Sequence, residues 1–348
     1  MFCRVCGERV PHPSAPAPAQ RHPQAAAVVK GNPFVQNYLG FIVLGTLLCF
    51  LMIAGAMYSP PFMTAANWLV LLRQFCIAGM IALGAAASSK LRGPDISMGQ
   101  MMALGSVLMV SIVAGDGITL TGVAIAILAC GCLGLISGAI ISFLRAPAII
   151  VTFIMSSMAR GIAYVAINGA PISLNKENGN VLNVLGQMTP LFMVLFLALC
   201  GGIAFVALWL GRRTKAPGGA ASKSMVMLGY GFTAAIAVFA GLAMSSRLGA
   251  VQPTMGTGYE LLILFVLAAV QSSRLLDHGV FALGYALIAA FLWTLISNIF
   301  ALLGIDSHLQ MVAQSGLVLI LLCIACAARG GITQALMNHG QSLFDGEM

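Results

Sequence analysis

The chain has 348 residues, of which 60% are hydrophobic and only 7% charged, and its mean hydropathy is +0.99. That is too little charge to clothe a soluble domain of this length, so the composition is that of an integral membrane protein. A net charge of +8 would suit a nucleic-acid binder, but the charges lie on short loops and one terminal tail rather than on a basic face, which excludes that class.

Residues 1–38 carry five prolines in "PHPSAPAPAQRHP" and no apolar run that would serve as a secretory signal, and they are expected to form a disordered cytoplasmic tail. "AGA" at 54–56 looks like a cleavage site but stands too far from the start, so span 1 is read as a retained anchor. "FCRVCGE" at 2–8 resembles half of a zinc ribbon. Cys3 and Cys6 are thus candidate metal ligands, with His12 and His22 the nearby supplements at odd spacing. A plain tail without metal is the alternative.

A helix needs about 20 apolar residues to cross the ~30 Å hydrocarbon layer. Spans are read near 40–58, 69–87, 97–114, 119–143, 148–168, 190–210, 225–245, 256–271, 279–303 and 309–328. Between spans 2 and 3, "GAAASSKLRGPDISMG" brings Lys90, Arg92, Pro94 and Asp95 together. Pro94 lacks a donor and disfavours helix at Gly93, so the chain breaks there. Asp95 then stands at the N-terminus of span 3, where the helix dipole favours a carboxylate. Two readings are open: an interfacial loop with Asp95 as cap, or a broken element edging a substrate path.

Span 4 repeats Ala126, Cys130, Gly134, Gly138 and Ser142 at four-residue spacing, a stripe that lets another backbone approach closely. In span 5, Arg160 would cost roughly 2.5–3.5 kcal/mol facing lipid. It must therefore face protein or an aqueous cavity, with Asp95 or Glu260 as partner. Arg73, near the outer end of span 2, can snorkel and is given no role, and Asn298 in span 9 is read either as another polar intrusion beside the path or, equally, as an interhelical hydrogen bond. Span 8 is the weakest, with a ten-residue apolar core, "LLILFVLAAV", and is expected to be a half-helix or re-entrant segment. Seven of the nine cysteines fall within spans and serve there as small apolar residues; the CxxC of Cys323 and Cys326 is one such pair.

With the N-terminus cytoplasmic, thirteen of the seventeen Lys and Arg face inward, Lys176 and Arg247 face outward, and Arg73 and Arg160 lie within spans. "GAAASSKL" at 84–91 returns as "GLAMSSRL" at 241–248, each ending an apolar span and each followed by an acid, Asp95 or Glu260. The copies end spans 2 and 7. Five is an odd number of crossings, so the sequence predicts two inverted-topology repeats of five helices each. "SSRL" at 272–275 shows that the tetrapeptide alone is uninformative.

Four segments resemble the transmembrane subunits of ribose/galactose-type ABC importers. "RGPDISMG" at 92–99 keeps the acid, serine and last glycine of that family's G-G-x-D-L-S-x-G. "APAIIVTFIMSSMARG" at 146–161 and "GAPIS" at 169–173 follow two further signatures. "SSRLGAVQPTMGTGYEL" at 245–261 follows S-R-L-G-x-x-Q-P-x-x-G-x-G-Y-E-L closely. The resemblance covers residues 40–328. It implies an all-α permease domain over 39–330, followed by a cytoplasmic tail over 331–348, in a bacterial cytoplasmic membrane with both termini inside. It implies that a monosaccharide arrives from an extracytoplasmic binding protein, and that a separate ABC ATPase binds ATP and magnesium. It also implies a second permease subunit, identical or not, and contact with membrane lipid. Asp95, Ser97, Gly99, Arg160, Gln252 and Glu260 would then border the substrate pathway.

The chain departs from the family at two places. The loop "GRRTKAPGGAASKSM" at 211–225 is short and basic where an acidic E-A-A-x-x-x-G-type helix docks the ATPase, and "QSSRLLDHG" replaces a Gly-rich stretch. Any coupling by this chain would fall to Arg212, Arg213, Lys215, Arg274 and Asp277; otherwise a second, better-preserved permease in a heterodimer carries it, or this is a divergent subunit with altered work. "PGGAASKS" at 217–224 echoes a phosphate loop but lacks the Gly before Lys and follows no strand, so no nucleotide is assigned to this chain. No span carries the His/Glu or Ser/Lys pairs of an intramembrane enzyme. The sequence therefore reads as a non-enzymatic translocation subunit for a monosaccharide. The alternatives are a permease for nucleosides, amino acids or a signalling furanose, or a degenerate permease serving as scaffold or regulator.

Overall fold

The structure, a computed structural model, describes residues 33–111, 119–174, 190–213, 222–271 and 279–328. These form an all-α polytopic membrane protein. Its helices are α1 (Pro33–Tyr58), α2 (Ala65–Ser89), α3 (Met98–Ser111), α4 (Leu120–Phe143), α5 (Ala148–Ala166), α6 (Pro190–Arg213), α7 (Lys223–Leu248), α8 (Tyr259–Gln271), α9 (Gly279–Leu302) and α10 (Ser307–Ala328). Each matches one predicted span. Among the described residues, six helices are long and apolar enough to cross a bilayer. The apolar parts of α1, α3, α6 and α8 are shorter. At 1.5 Å per residue, the 13 residues of α8 reach about 20 Å, less than the hydrocarbon thickness.

Local chemistry sets the helix ends. Thr64, Thr119 and Ser222 sit as N-caps, their hydroxyls accepting from the backbone N–H of Asn67, Gly122 and Met225. Gly249 closes α7 in the left-handed conformation that its lack of a Cβ permits, its N–H bonding Ser245 O at 2.9 Å. Just beyond, β1 (Ile172–Ser173) pairs antiparallel with β2 (Ala250–Val251), and Leu174 N–H adds a bond to Gly249 O. The chain leaving α5 and the chain leaving α7 are therefore on one face.

The small-residue stripe of α4 is its buried face, and it lies on α7 in the most extensive helix interface of the molecule. A Cβ at Gly138 would stand 2.6 Å from Met227 Cα and 3.0 Å from Val226 O, so only glycine admits this approach. α9 lies on α2. α3 packs on α4, α5 and α7, and α8 packs on α9, α10 and α2. Asn298 of α9 and Asn67 of α2 exchange amide hydrogen bonds of 3.1 and 2.8 Å in the buried interface, a pairing worth having where no water competes.

The two octapeptide copies lie at opposite ends of the α2–α7 pair. A Cβ at Gly229, in the first half of α7, would collide with Leu91 just beyond α2, and Tyr230 and Thr233 bond the chain after α2. Leu248 is at the far end of α7. Yet the segments that follow the copies turn back and meet: a Cβ at Gly99 would stand 2.7 Å from Gly256 O, and one at Gly256 would strike Gly99 O. Gly99 and Gly256 are 157 residues apart, the same offset as Gly84 and Gly241.

Arg73 differs from the expectation of free snorkelling. It is half-buried, and its Nε is sealed from solvent without a hydrogen-bond partner, because α2 packs on several neighbours along this stretch instead of facing lipid.

Overfilling the α4–α7 contact is expected to be destabilising. Gly138→Leu should lower stability by about 1–3 kcal/mol, read as a drop in the melting temperature of the detergent-solubilised protein. Gly316→Leu, where a Cβ meets nothing within 4 Å, should leave it unchanged.

Candidate functional site

At the break forced by Pro94, protein groups serve Gly93 O and the N–H groups of Asp95, Ile96 and Ser97. Asp95, 2% exposed, accepts from Ser97 N–H at 3.0 Å and Ser97 Oγ at 2.6 Å through Oδ1, and from Thr233 Oγ1 at 2.6 Å through Oδ2. Asp95 N–H donates to Ser88 Oγ, and Ile96 N–H donates to Thr152 Oγ1 of α5. Tyr230 Oη donates to Gly93 O at 2.8 Å. A buried carboxylate is tolerable when its lone pairs are filled this way, and the dipole of α3 adds to the gain. Asp95 thus ties α2, α3 and α7 into one sealed knot.

The second break carries its carboxylate outward. Glu260, in the first turn of α8, accepts Gly258 N–H at 3.0 Å on Oε2 and Gln100 Nε2 of α3 at 2.7 Å on Oε1. Arg160 Nη2 of α5 lies 3.6 Å from Oε1, the pair being 45% and 27% exposed. A cleft of about 360 Å³ opens over them, lined by Phe153, Ser156, Ser157, Arg160, Tyr164 and Glu260. It offers a guanidinium, a carboxylate, two serine hydroxyls and a phenol above an apolar floor. That mixture suits a small ligand whose groups both donate and accept hydrogen bonds.

Arg160 and Glu260 are thus brought together on one wall, and Asp95 is not their partner. Asp95 and Ser97 are buried away from the cleft, and Gly99 is in the glycine contact. Gln252 is half-buried in the loop after β2, its N–H directed at Met255 Sδ. Sequence reasoning passed over Gln100, which is fully buried and joins α3 to Glu260. Its only signal was a place two residues inside a span beside a break. Arg212 and Arg213 end α6, while Lys215, Arg274, Asp277, Cys3 and Cys6 lie outside the described residues. Among the described residues, no three His, Cys, Asp or Glu side chains gather in a way that could hold a metal.

No protein-family profile matches the chain, and no solved structure matches it. Among curated proteins it is 30% identical, over 285 residues, to the ribose import permease protein RbsC of Escherichia coli (strain K12), covering 75% of this chain and 86% of that one. It is 29% identical to the ribose import permease protein RbsC of Haemophilus influenzae, over 82% of this chain and 92% of that one. It is 23% identical to the L-arabinose ABC transporter permease protein AraH of Azospirillum brasilense, over 79% and 85% of the two chains. With the helical membrane fold and the motif at 245–261 already in place, the chain belongs to the family of sugar ABC-transporter permeases that includes these ribose and arabinose proteins.

Proposed function

We propose that the chain is the translocation subunit of an ATP-driven importer and carries an aldopentose such as ribose, delivered by an extracytoplasmic binding protein. The observation that carries this reading is the Arg160–Glu260 cleft. A pentose hydroxyl can accept from the guanidinium while donating to the carboxylate, so the sugar bridges the pair without parting it. Asp95, Ser97, Gly99 and Gln252 act one layer behind, holding the two breaks that aim α3 and α8. ATP and magnesium belong on a separate ATPase, which Arg212, Arg213, Lys215, Arg274 and Asp277 would meet. The charged pair itself favours a second reading, a zwitterionic amino acid, whose carboxylate and ammonium would have to displace the two partners from each other.

A second permease subunit fits the same geometry. Arg160 is 45% exposed on a helix whose Ile150, Phe153 and Ile154 are 57%, 62% and 59% exposed. In lipid that charge would be unfavourable, whereas a subunit packed over α5 would enclose it in water-filled protein. Two inverted five-helix repeats, with both termini cytoplasmic, account for the arrangement. This reading is supported by the matched helix pairings, by the copies at opposite ends of α2 and α7, and by the Gly99–Gly256 contact, as expected on a local two-fold axis.

Two measurements test this. In cells supplied with the cognate ATPase and binding protein, Arg160→Ala and Glu260→Gln should each lower labelled ribose uptake about tenfold or more, with membrane levels unchanged. Normal uptake by both variants would remove the cleft from the pathway, and inhibition of wild-type uptake by leucine would favour the zwitterion. For topology, Lys90→Cys and Arg247→Cys should react with an impermeant maleimide from opposite sides of sealed vesicles. Reaction from one side would overturn the inverted repeat.

A further inference from the structure

A second polar cleft lies on the other flank of the first turn of α8. It holds about 200 Å³ and is enclosed by α2, the end of α7, the start of α8, α9 and α10, with Gln74, Arg247, Thr257, Tyr259, Trp293 and Gln314 on its walls. That is room for several waters or one small polyol. Gly258 lines this cleft, whereas Glu260, whose Oε2 accepts Gly258 N–H, lines the first. One helical turn therefore separates the two.

The polar groups here are unfinished in a specific way. Gln74 Oε1 is sealed from solvent and accepts no hydrogen bond. Among the described residues, no carboxylate pairs with Arg247. Thr294 spends its proton on Ala290 O and Phe291 O of its own helix, and Ser297 spends its proton on Trp293 O, so both of these cleft-lining hydroxyls keep lone pairs to offer. Gln314 Nε2 already fills one of Ser297's at 2.8 Å. The cleft thus presents several acceptors and one cationic donor. An anion would satisfy Arg247 but would face the amide oxygen and the hydroxyl lone pairs. A compound with several hydroxyls satisfies both kinds of group.

We propose that this cleft is a second aldopentose site inside the protomer, next to the transport cleft and separate from it. The proposal rests on the sugar-permease reading and adds to it a place where substrate is held before or after passing Glu260. A turn of the Gln74 amide brings its orphan oxygen to a sugar hydroxyl proton, and Arg247 donates to ring or hydroxyl oxygens, with Trp293 forming part of the wall.

The test uses the full chain in nanodiscs with Trp68→Phe and Trp209→Phe, so that Trp293 alone emits. D-ribose should change its fluorescence saturably. Gln74→Leu, which removes the orphan oxygen at similar volume, should weaken that response about tenfold. Arg247→Gln, at the exposed edge, should do likewise and serves if the first variant does not fold. Arg160→Ala should leave the response within about twofold. The proposal is overturned if both cleft variants respond like the parent, if Arg160→Ala abolishes the response, or if inorganic phosphate produces it and ribose does not. Ribose uptake measured alongside separates the two levels. A saturable response without any uptake sinks the importer reading but keeps this site. Uptake that depends on Arg160 with a silent Trp293 sinks this site alone.

Discussion

Two helices of this protein begin at chain breaks whose first N–H groups must find partners outside the helix, and the rest of the structure follows from meeting that demand. In hydrocarbon each orphan donor is strongly unfavourable. α3 answers with Asp95 and Ser97, and α8 answers with Glu260 folding back on Gly258 N–H. The two starts come together through Gly99 and Gly256, where a methyl group on either would strike the other's carbonyl. Neighbouring helices must then be placed to seal what is left: Thr233 and Tyr230 from α7 and Thr152 from α5.

The same demand divides the labour between the acids. Asp95 has all its partners within the protein and no exposure to speak of, so it behaves as a rivet. Glu260 meets the same need with one oxygen and shares the other between Gln100 and Arg160, where a cleft reaches it. The carboxylate that is only partly enclosed is the one a small molecule in the cleft can reach, on a wall where each hydrogen bond is stronger than in water.

Much of this was legible in the residues. Apolar runs marked the helices, the repeated octapeptide marked two equivalent breaks, and the four-residue stripe of α4 marked the face that lies on α7. For Asn298 an interhelical amide was one of two equal readings, and Asn67 as its mate was not legible, because a 231-residue separation leaves no local pattern. The choice between Asp95 and Glu260 for Arg160 was undecidable for the same reason: α5 reaches α8 only through the tertiary fold. The 157-residue offset does continue without a gap from Gly84 and Gly241 to Gly99 and Gly256. Carrying the register that far would have named the contact. Gln100 and the sealed side of Arg73 had no such signal, since burial of a polar group inside an apolar span depends on what packs against it.

The short strand pair has a mechanical consequence. Ile172 and Ser173 bind Val251 and Ala250, and Leu174 fastens to Gly249, so the chain beyond α5 is stapled to the chain beyond α7. The helix carrying Arg160 is therefore tethered at that end to the chain leaving α7, and α7 in turn holds the Asp95 knot through Thr233. Joined this way, the two rods share any load placed on either, while α3 and α8 meet through bare glycine backbone.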